Sequence, residues 1–101
     1  MLSSWGLSLK NFFWLPDVVD KLVTKHQVTP EEVEEIFFAR PRFRFHDKGR
    51  VRGEDMYTAL GQTESGRYLI VFFILKPSNR ALIISARDMT RHERKRYGRK
   101  K

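Results

Sequence analysis

The 101-residue chain has no cysteine. That removes a disulfide framework, a thiolate nucleophile and a Cys-ligated zinc together, and it fits a reducing compartment such as the cytoplasm. Long apolar runs are missing too. The run over residues 68–75 is eight long, well short of the ~18 residues that a membrane span needs, so no membrane partner is expected. The opening MLSSWGLSLKNFFWL lacks the basic start and the A-x-A-like cleavage site of a leader and reads as the start of the domain. There is no glycine-rich phosphate loop, no G-x-S-x-G turn, no HExxH and no EF-hand loop. His26, His46 and His92 fall in separate elements without paired ligand spacing. Neither a metal nor a cofactor is expected.

What is present is apolar content of 41%, with 13% aromatic residues, and a formal charge of +8. The first two figures are those of a folded protein. At this length one domain, spanning residues 1–101, is expected. The charge favours a polyanionic partner, and it is unevenly placed. Residues 1–39 hold three Lys against six Asp and Glu, whereas residues 40–101 hold 17 Lys and Arg against six acids. The polyanion site therefore belongs to the latter part of the chain.

Periodicity gives the elements. Residues 7–14 contain a short strand, with Phe12 to Trp14 entering the core. Pro16 and Asp17 open a helix whose stripe is Val18, Val19, Leu22 and Val23, and which ends near Lys25-His26. Thr29-Pro30-Glu31-Glu32 opens a second helix with a capping box, its stripe formed by Val33, Ile36 and Phe37, and Pro41 closes it. RFRFH (residues 42–46) alternates with period two. It places Phe43 and Phe45 toward the core and Arg42, Arg44 and His46 on the other face. Further strands are expected over residues 55–62, 67–75 and 81–86, joined by turns around Gly66 and Pro77. The last breaks at Ser85-Ala86-Arg87 and leads to a short helix signalled by Thr90. The order β-α-α-β-β-β-β-α predicts an α+β domain, an antiparallel sheet with helices packed on one face.

Metal-free RNA cleavage needs a base for the 2′-OH, donors for the phosphorane charge and an acid for the leaving oxygen. Arg87, at the end of a core strand beside a helix start, suits the second task because a guanidinium grips two phosphate oxygens at once. It can equally pair with Asp88 or with an acid of the second helix. Glu93 can serve as a base, yet Thr90-x-x-Glu93 is a capping box that already explains it. Lys25 and His26 suit the negative end of the first helix. The face of Arg42, Arg44 and His46 is either an RNA track or plain solvated surface. Arg91, Arg94 and the basic end beyond them suit phosphates without reading sequence, and Tyr97 is either a packing residue or part of that surface.

The chain resembles the BrnT family of type II toxin–antitoxin ribonucleases. The likeness runs from about Phe12 to Tyr97 through FFW, Lys25-His26, VTPEEVEEIF, GEDMYTALGQTESGRYLIVFFI and ALIISARDMTRHERKRY. The closing block, S-A-R then T-x-x-E-x-x-x-Y, is its most specific part. The resemblance implies a RelE-like fold and metal-independent endonucleolytic cleavage of RNA that blocks translation and growth. It also implies a BrnA-like ribbon-helix-helix antitoxin, through which alone operator DNA would be met. Carried over residue by residue, it implies catalytic roles for Lys25, His26, Arg87 and Glu93, with Lys25 and Arg87 on the scissile phosphate and His26 or Glu93 moving a proton. Glu54 matches an acid before the third strand. RNA contacts are expected from Arg42, Arg44, His46, Arg52, Arg91, Arg94 and Tyr97. Two departures stand out: Gln27 replaces a glycine after Lys-His, and Met56 replaces an arginine that nearby Arg52 can stand in for. They leave open a second reading, a basic RNA- or DNA-binding module or degenerate toxin that acts only through its protein partner.

Overall fold

A computed structural model describes residues 11–49, 54–77 and 79–99. The elements are β1 (Asn11–Phe13), α1 (Pro16–His26), α2 (Pro30–Phe38), β2 (Arg42–Asp47), β3 (Met56–Gln62), β4 (Tyr68–Lys76), β5 (Arg80–Asp88) and α3 (Arg91–Arg99). The α+β class and the expected element order hold. The strands form one sheet in the order β1-β5-β4-β3-β2. β2 to β5 pair antiparallel, as the tight turns require, whereas β1 joins the edge of β5 in parallel, with Phe12 opposite Ala81. Nothing in a turn could have signalled that pairing, because most of the chain lies between the two strands.

β4 sorts the sheet into two faces. Leu69, Val71 and Phe73 are buried against Leu22 of α1 and against Val33, Ile36 and Phe37 of α2. The alternate residues Ile70 and Phe72 face the other way, into a smaller cluster with Leu60, Met89 and Tyr97. One-face packing thus describes α1 and α2, while α3 lies on the opposite face of the sheet.

Each helix of the first face carries its own stop and start. α1 ends in a left-handed residue, Gln27 (φ 52°), and the Val28 N–H returns to the Leu22 carbonyl at 2.9 Å while the Val28 side chain is fully buried. That is the arrangement in which glycine usually occupies the left-handed site. α2 begins with the expected capping box: Thr29 Oγ1 accepts from the Glu32 N–H at 3.2 Å, and Glu32 Oε1 accepts from the Thr29 N–H at 3.0 Å. Gly61 lets α2 lie close on β3, since a Cβ there would stand 3.1 Å from Ile36 Cγ2.

Two expectations about strands need correction. Phe45 shares the face of Phe43 but sits on the outer strand, 58% exposed, with Tyr57 as an edge-on neighbour. β5 does not break at Ser85; it runs to Asp88 through a bulge. Phe72 pairs with Ser85 and Phe73 with Ile83, so Ile84 is one residue too many. The interruption in the apolar pattern is this bulge, not a strand end.

Candidate functional site

The bulge decides where Arg87 points. Ile83 and Ala86 both face the helices α1 and α2 although they are three residues apart. Side chains alternate along a strand, so without the bulge, with Ile84 paired regularly, Arg87 would follow Ile83 toward that core. With it, Arg87 emerges on the α3 face, opposite Ile70. There its guanidinium lies 5.5 Å from the Phe72 ring centre and pairs with Glu93 through two hydrogen bonds, Nη1 to Oε1 at 2.9 Å and Nη2 to Oε2 at 3.0 Å. Nη1 also donates to the Asp88 carbonyl at 3.0 Å.

Glu93 is held from a second side. Its Oε1 accepts from the Thr90 N–H at 2.8 Å, and its own N–H donates to Thr90 Oγ1 at 3.1 Å. The capping box and the ion pair therefore use the same carboxylate. The Arg87 hydrogen bonds, reinforced by the Thr90 N–H, hold the Glu93 carboxyl below its ordinary range, against the opposing effect of burial. Glu93 correspondingly raises the Arg87 pKa. At neutral pH this is a charged pair.

The pair forms one wall of a hollow of about 250 Å³ whose other lining includes Arg44 and His46 from β2, Arg96 from α3 and Phe72 at the floor. The period-two alternation of β2 puts Arg42 and Arg44 on this face, opposite Leu60 and Thr58 of β3. His46 occupies a second bulge, between the Phe45–Tyr57 and Asp47–Met56 pairs, and its ring packs edge-on against Phe72 at 5.2 Å. The hollow thus has three guanidiniums, one imidazole and one carboxylate. Such a set can bind a phosphate and offers groups that exchange protons.

Arg42, Arg91, Arg94 and Tyr97 line a second hollow on the same face, between α3 and the start of β4. Arg52 lies outside the described residues. Lys25 and His26 stand elsewhere, at the C-terminus of α1, with Lys25 exposed and His26 half-buried; they line none of the hollows on the α3 face. Glu54 is paired with Lys76, Oε2 to Nζ at 3.3 Å. Among the described residues no three His, Asp or Glu side chains gather as a metal site would require, and no helix is long and apolar enough to cross a membrane.

Arg67, which sequence reasoning passed over as a strand residue, ties these parts together. Its Nη groups donate to the carbonyls of His26 (2.8 Å) and Gln27, and Nη1 reaches Glu32 Oε1 at 3.2 Å. Nε and Nη2 grip Asp88 at 2.8 and 3.2 Å. One side chain caps α1, braces the start of α2 and fixes the end of β5 beside Arg87. Its hydrogen bonds are the main reason that the Asp88 carboxyl is held below its ordinary range, with the charges of Arg67 and His26 adding to them. An arginine next to a turn glycine gave no signal of this. Phe72 was likewise unremarked as a site residue, because it reads as core, and Arg96 was expected only within the phosphate-holding basic end and not beside Arg87.

A family model described as ribonuclease toxin, BrnT, of type II toxin–antitoxin system matches residues 14–93. The span takes in Arg44, His46, Arg87 and Glu93 and stops before Tyr97. No curated protein matches the chain. The chain belongs to the BrnT family of ribonuclease toxins.

Proposed function

We propose that this chain is an endoribonuclease toxin that cleaves RNA without a metal, thereby blocking translation and growth, and that a BrnA-like ribbon-helix-helix antitoxin neutralises it. The observation that carries the reading is the gathering of Arg44, His46, Arg87, Glu93 and Arg96 around one hollow. Arg87, Arg44 and Arg96 take the scissile phosphate and the negative charge that grows on it. The 2′-hydroxyl gives up its proton and attacks phosphorus; the bond to the 5′-oxygen breaks, and that oxygen receives a proton. The products are a 2′,3′-cyclic phosphate and a 5′-hydroxyl. His46 is the group in the hollow suited to move a proton, whereas Glu93, held low by Arg87, positions the guanidinium and is a weak base. Lys25 and His26 act from the far side of β5, through Asp88 and the end of α1.

A second reading, a binding module without catalysis, is favoured by one feature: the Arg87 guanidinium already has a carboxylate partner in the chain. One assay separates the two. Purified protein incubated with RNA in EDTA should give defined fragments ending in a cyclic phosphate. Arg87→Ala should slow that cleavage by about 10²–10³-fold, the usual loss on removing one donor to a developing oxyanion. RNA left intact at high protein concentration, while still bound, would establish the second reading instead.

A further inference from the structure

The hollow beside Arg87 does not end there. It shares Arg44, Leu60 and Arg96 with an adjoining hollow of about 430 Å³. That one shares Arg42 and Tyr97 with the hollow of about 710 Å³ at the start of β4. Together they make a groove with β2 along one wall and α3 along the other. We propose that this groove seats a single RNA strand, with a base next to the cleaved phosphate stacked on Tyr97. The inference rests on the ribonuclease reading for which phosphate is cleaved, but not for the strand itself.

Both components of a single-strand site are present. The walls are cationic: Arg42 and Arg44 from β2 face Arg94, Lys95 and Arg96 from α3, and the one acid, Glu93, is neutralised by Arg87. That combination follows a phosphate backbone but would serve duplex RNA or an acidic peptide equally well. The aromatic pair decides between them. Tyr97 stands where the two larger hollows meet, edge-on to Tyr68 with ring centres 6.0 Å apart. Each ring has a guanidinium over it. Arg94 is seated closely on Tyr68 at 4.2 Å, whereas Arg42 stands 5.5 Å from Tyr97. A flat base can take the place of the looser guanidinium on the Tyr97 ring, as unpaired bases stack on aromatic planes. Paired bases inside a duplex are already stacked and stay out of reach. An acidic peptide gains nothing from the ring.

The distance along the groove sets the order of contacts. Arg44 and Arg96 belong both to the cleavage hollow and to the next, so the stacked base lies close to the phosphate that Arg87 holds. Tyr97 therefore sets register: it fixes which phosphate reaches Arg87.

The test uses a fluorescent 2′-O-methyl oligoribonucleotide, which lacks the attacking hydroxyl and cannot be cleaved, with anisotropy as readout. Wild-type protein should bind it at least about fivefold more tightly than the same backbone carrying abasic positions, and more tightly than the matching duplex. Tyr97→Leu should weaken binding of the base-bearing strand about 5–150-fold, the worth of one stacked base. It should leave abasic binding and its salt dependence unchanged; Tyr97→Phe should bind as wild type. Equal binding of base-bearing and abasic strands by wild-type protein overturns the proposal, whatever the fate of the Leu variant. So does a duplex or a poly-glutamate chain that binds or competes as well as the single strand. Failure of cleavage in EDTA with base-dependent binding intact would count against the ribonuclease reading alone.

Discussion

Substituting Glu93 separates positioning from proton transfer, because Gln and Ala remove different parts of what the carboxylate does. The amide of the Glu93→Gln variant would keep an oxygen for the Thr90 N–H and for one Arg87 hydrogen bond, but no longer a charge. The methyl group of Glu93→Ala would keep neither. The Arg87–Glu93 pair is 34% and 23% exposed at its two side chains, so solvent screening puts it at the low end for charge-assisted bonds, about 1–1.5 kcal/mol. The lost cap adds about 1 kcal/mol. Glu93→Ala should therefore cost roughly 2–2.5 kcal/mol, or a fall in Tm of about 8–20 °C for a chain of this size, and Glu93→Gln about half as much. Activity should behave differently. A general base contributes about 10²–10⁴-fold, and a base whose pKa is lowered contributes least near neutrality. Glu93→Gln should thus retain at least about a tenth of wild-type cleavage at about pH 7. It should also bind 2′-O-methyl RNA at least as tightly, since Arg87 loses a competing anion. The assays are cleavage in EDTA under single-turnover conditions, anisotropy and thermal unfolding on the same preparations. A loss of more than about 100-fold in cleavage, with RNA affinity and Tm close to wild type, would show that Glu93 moves the proton and that its pairing with Arg87 is incidental.

Three further outcomes rest on the same geometry. Arg67→Ala should destabilise the chain by about 2–4 kcal/mol, because it leaves two helix-end carbonyls and the Asp88 carboxylate without this donor and removes the ion pair to Glu32, which keeps the Thr29 N–H; urea unfolding that moves by less than about 1 kcal/mol would contradict its bracing role. Gln27→Gly should stabilise by about 0.5–1 kcal/mol in the same assay, since the left-handed conformation at φ 52° costs a residue with a side chain more than it costs glycine. The pH dependence has a definite sign. Asp88 and Glu93 have folded-state pKa values below their ordinary 3.8 and 4.5, so their contributions are complete above about pH 5 and are lost as pH falls through the folded values. Thermal scans should show a Tm that is flat between about pH 5 and 7 and falls in acid, with Arg67→Ala and Arg87→Ala each blunting that fall.

Local chemistry made much of this fold legible. Thr29 with Glu32 and Thr90 with Glu93 are short-range signals, and both capping boxes form as their spacing demands. The alternation in RFRFH put Arg42, Arg44 and His46 on one face, and they line the hollows there. What local pattern could not carry was the third dimension of the sheet. β1 finds β5 across most of the chain, Phe45 falls outside the core because its strand is the last in the sheet, and α3 crosses to the face that α1 and α2 leave open. Arg67 was invisible for the same reason. Its partners are His26, Gln27, Glu32 and Asp88, between 21 and 41 residues away.

The two bulges show how little extra chain it takes to make the site. A register shift of one residue reverses every side chain beyond it, and β5 uses Ile84 to do this after Ile83 and before Ser85. The apolar pattern upstream stays faithful to the α1–α2 core, while Arg87 is released to the opposite face where Glu93 waits at the start of α3. β2 carries its own bulge at His46, a residue that alternation with Phe45 already puts on the α3 face, and its ring comes to rest on Phe72. Phe72 lies directly across the ladder from Ser85, so both bulges converge on one aromatic side chain. The guanidinium reaches the hollow by a departure from regular pairing and the imidazole by regular alternation, and β4 holds both against the ring of Phe72. Pairing Ile84 regularly, instead of bulging it out, would turn Arg87 toward the α1–α2 core and away from Glu93, so this one irregularity keeps the apolar pattern upstream and the guanidinium in the hollow at the same time.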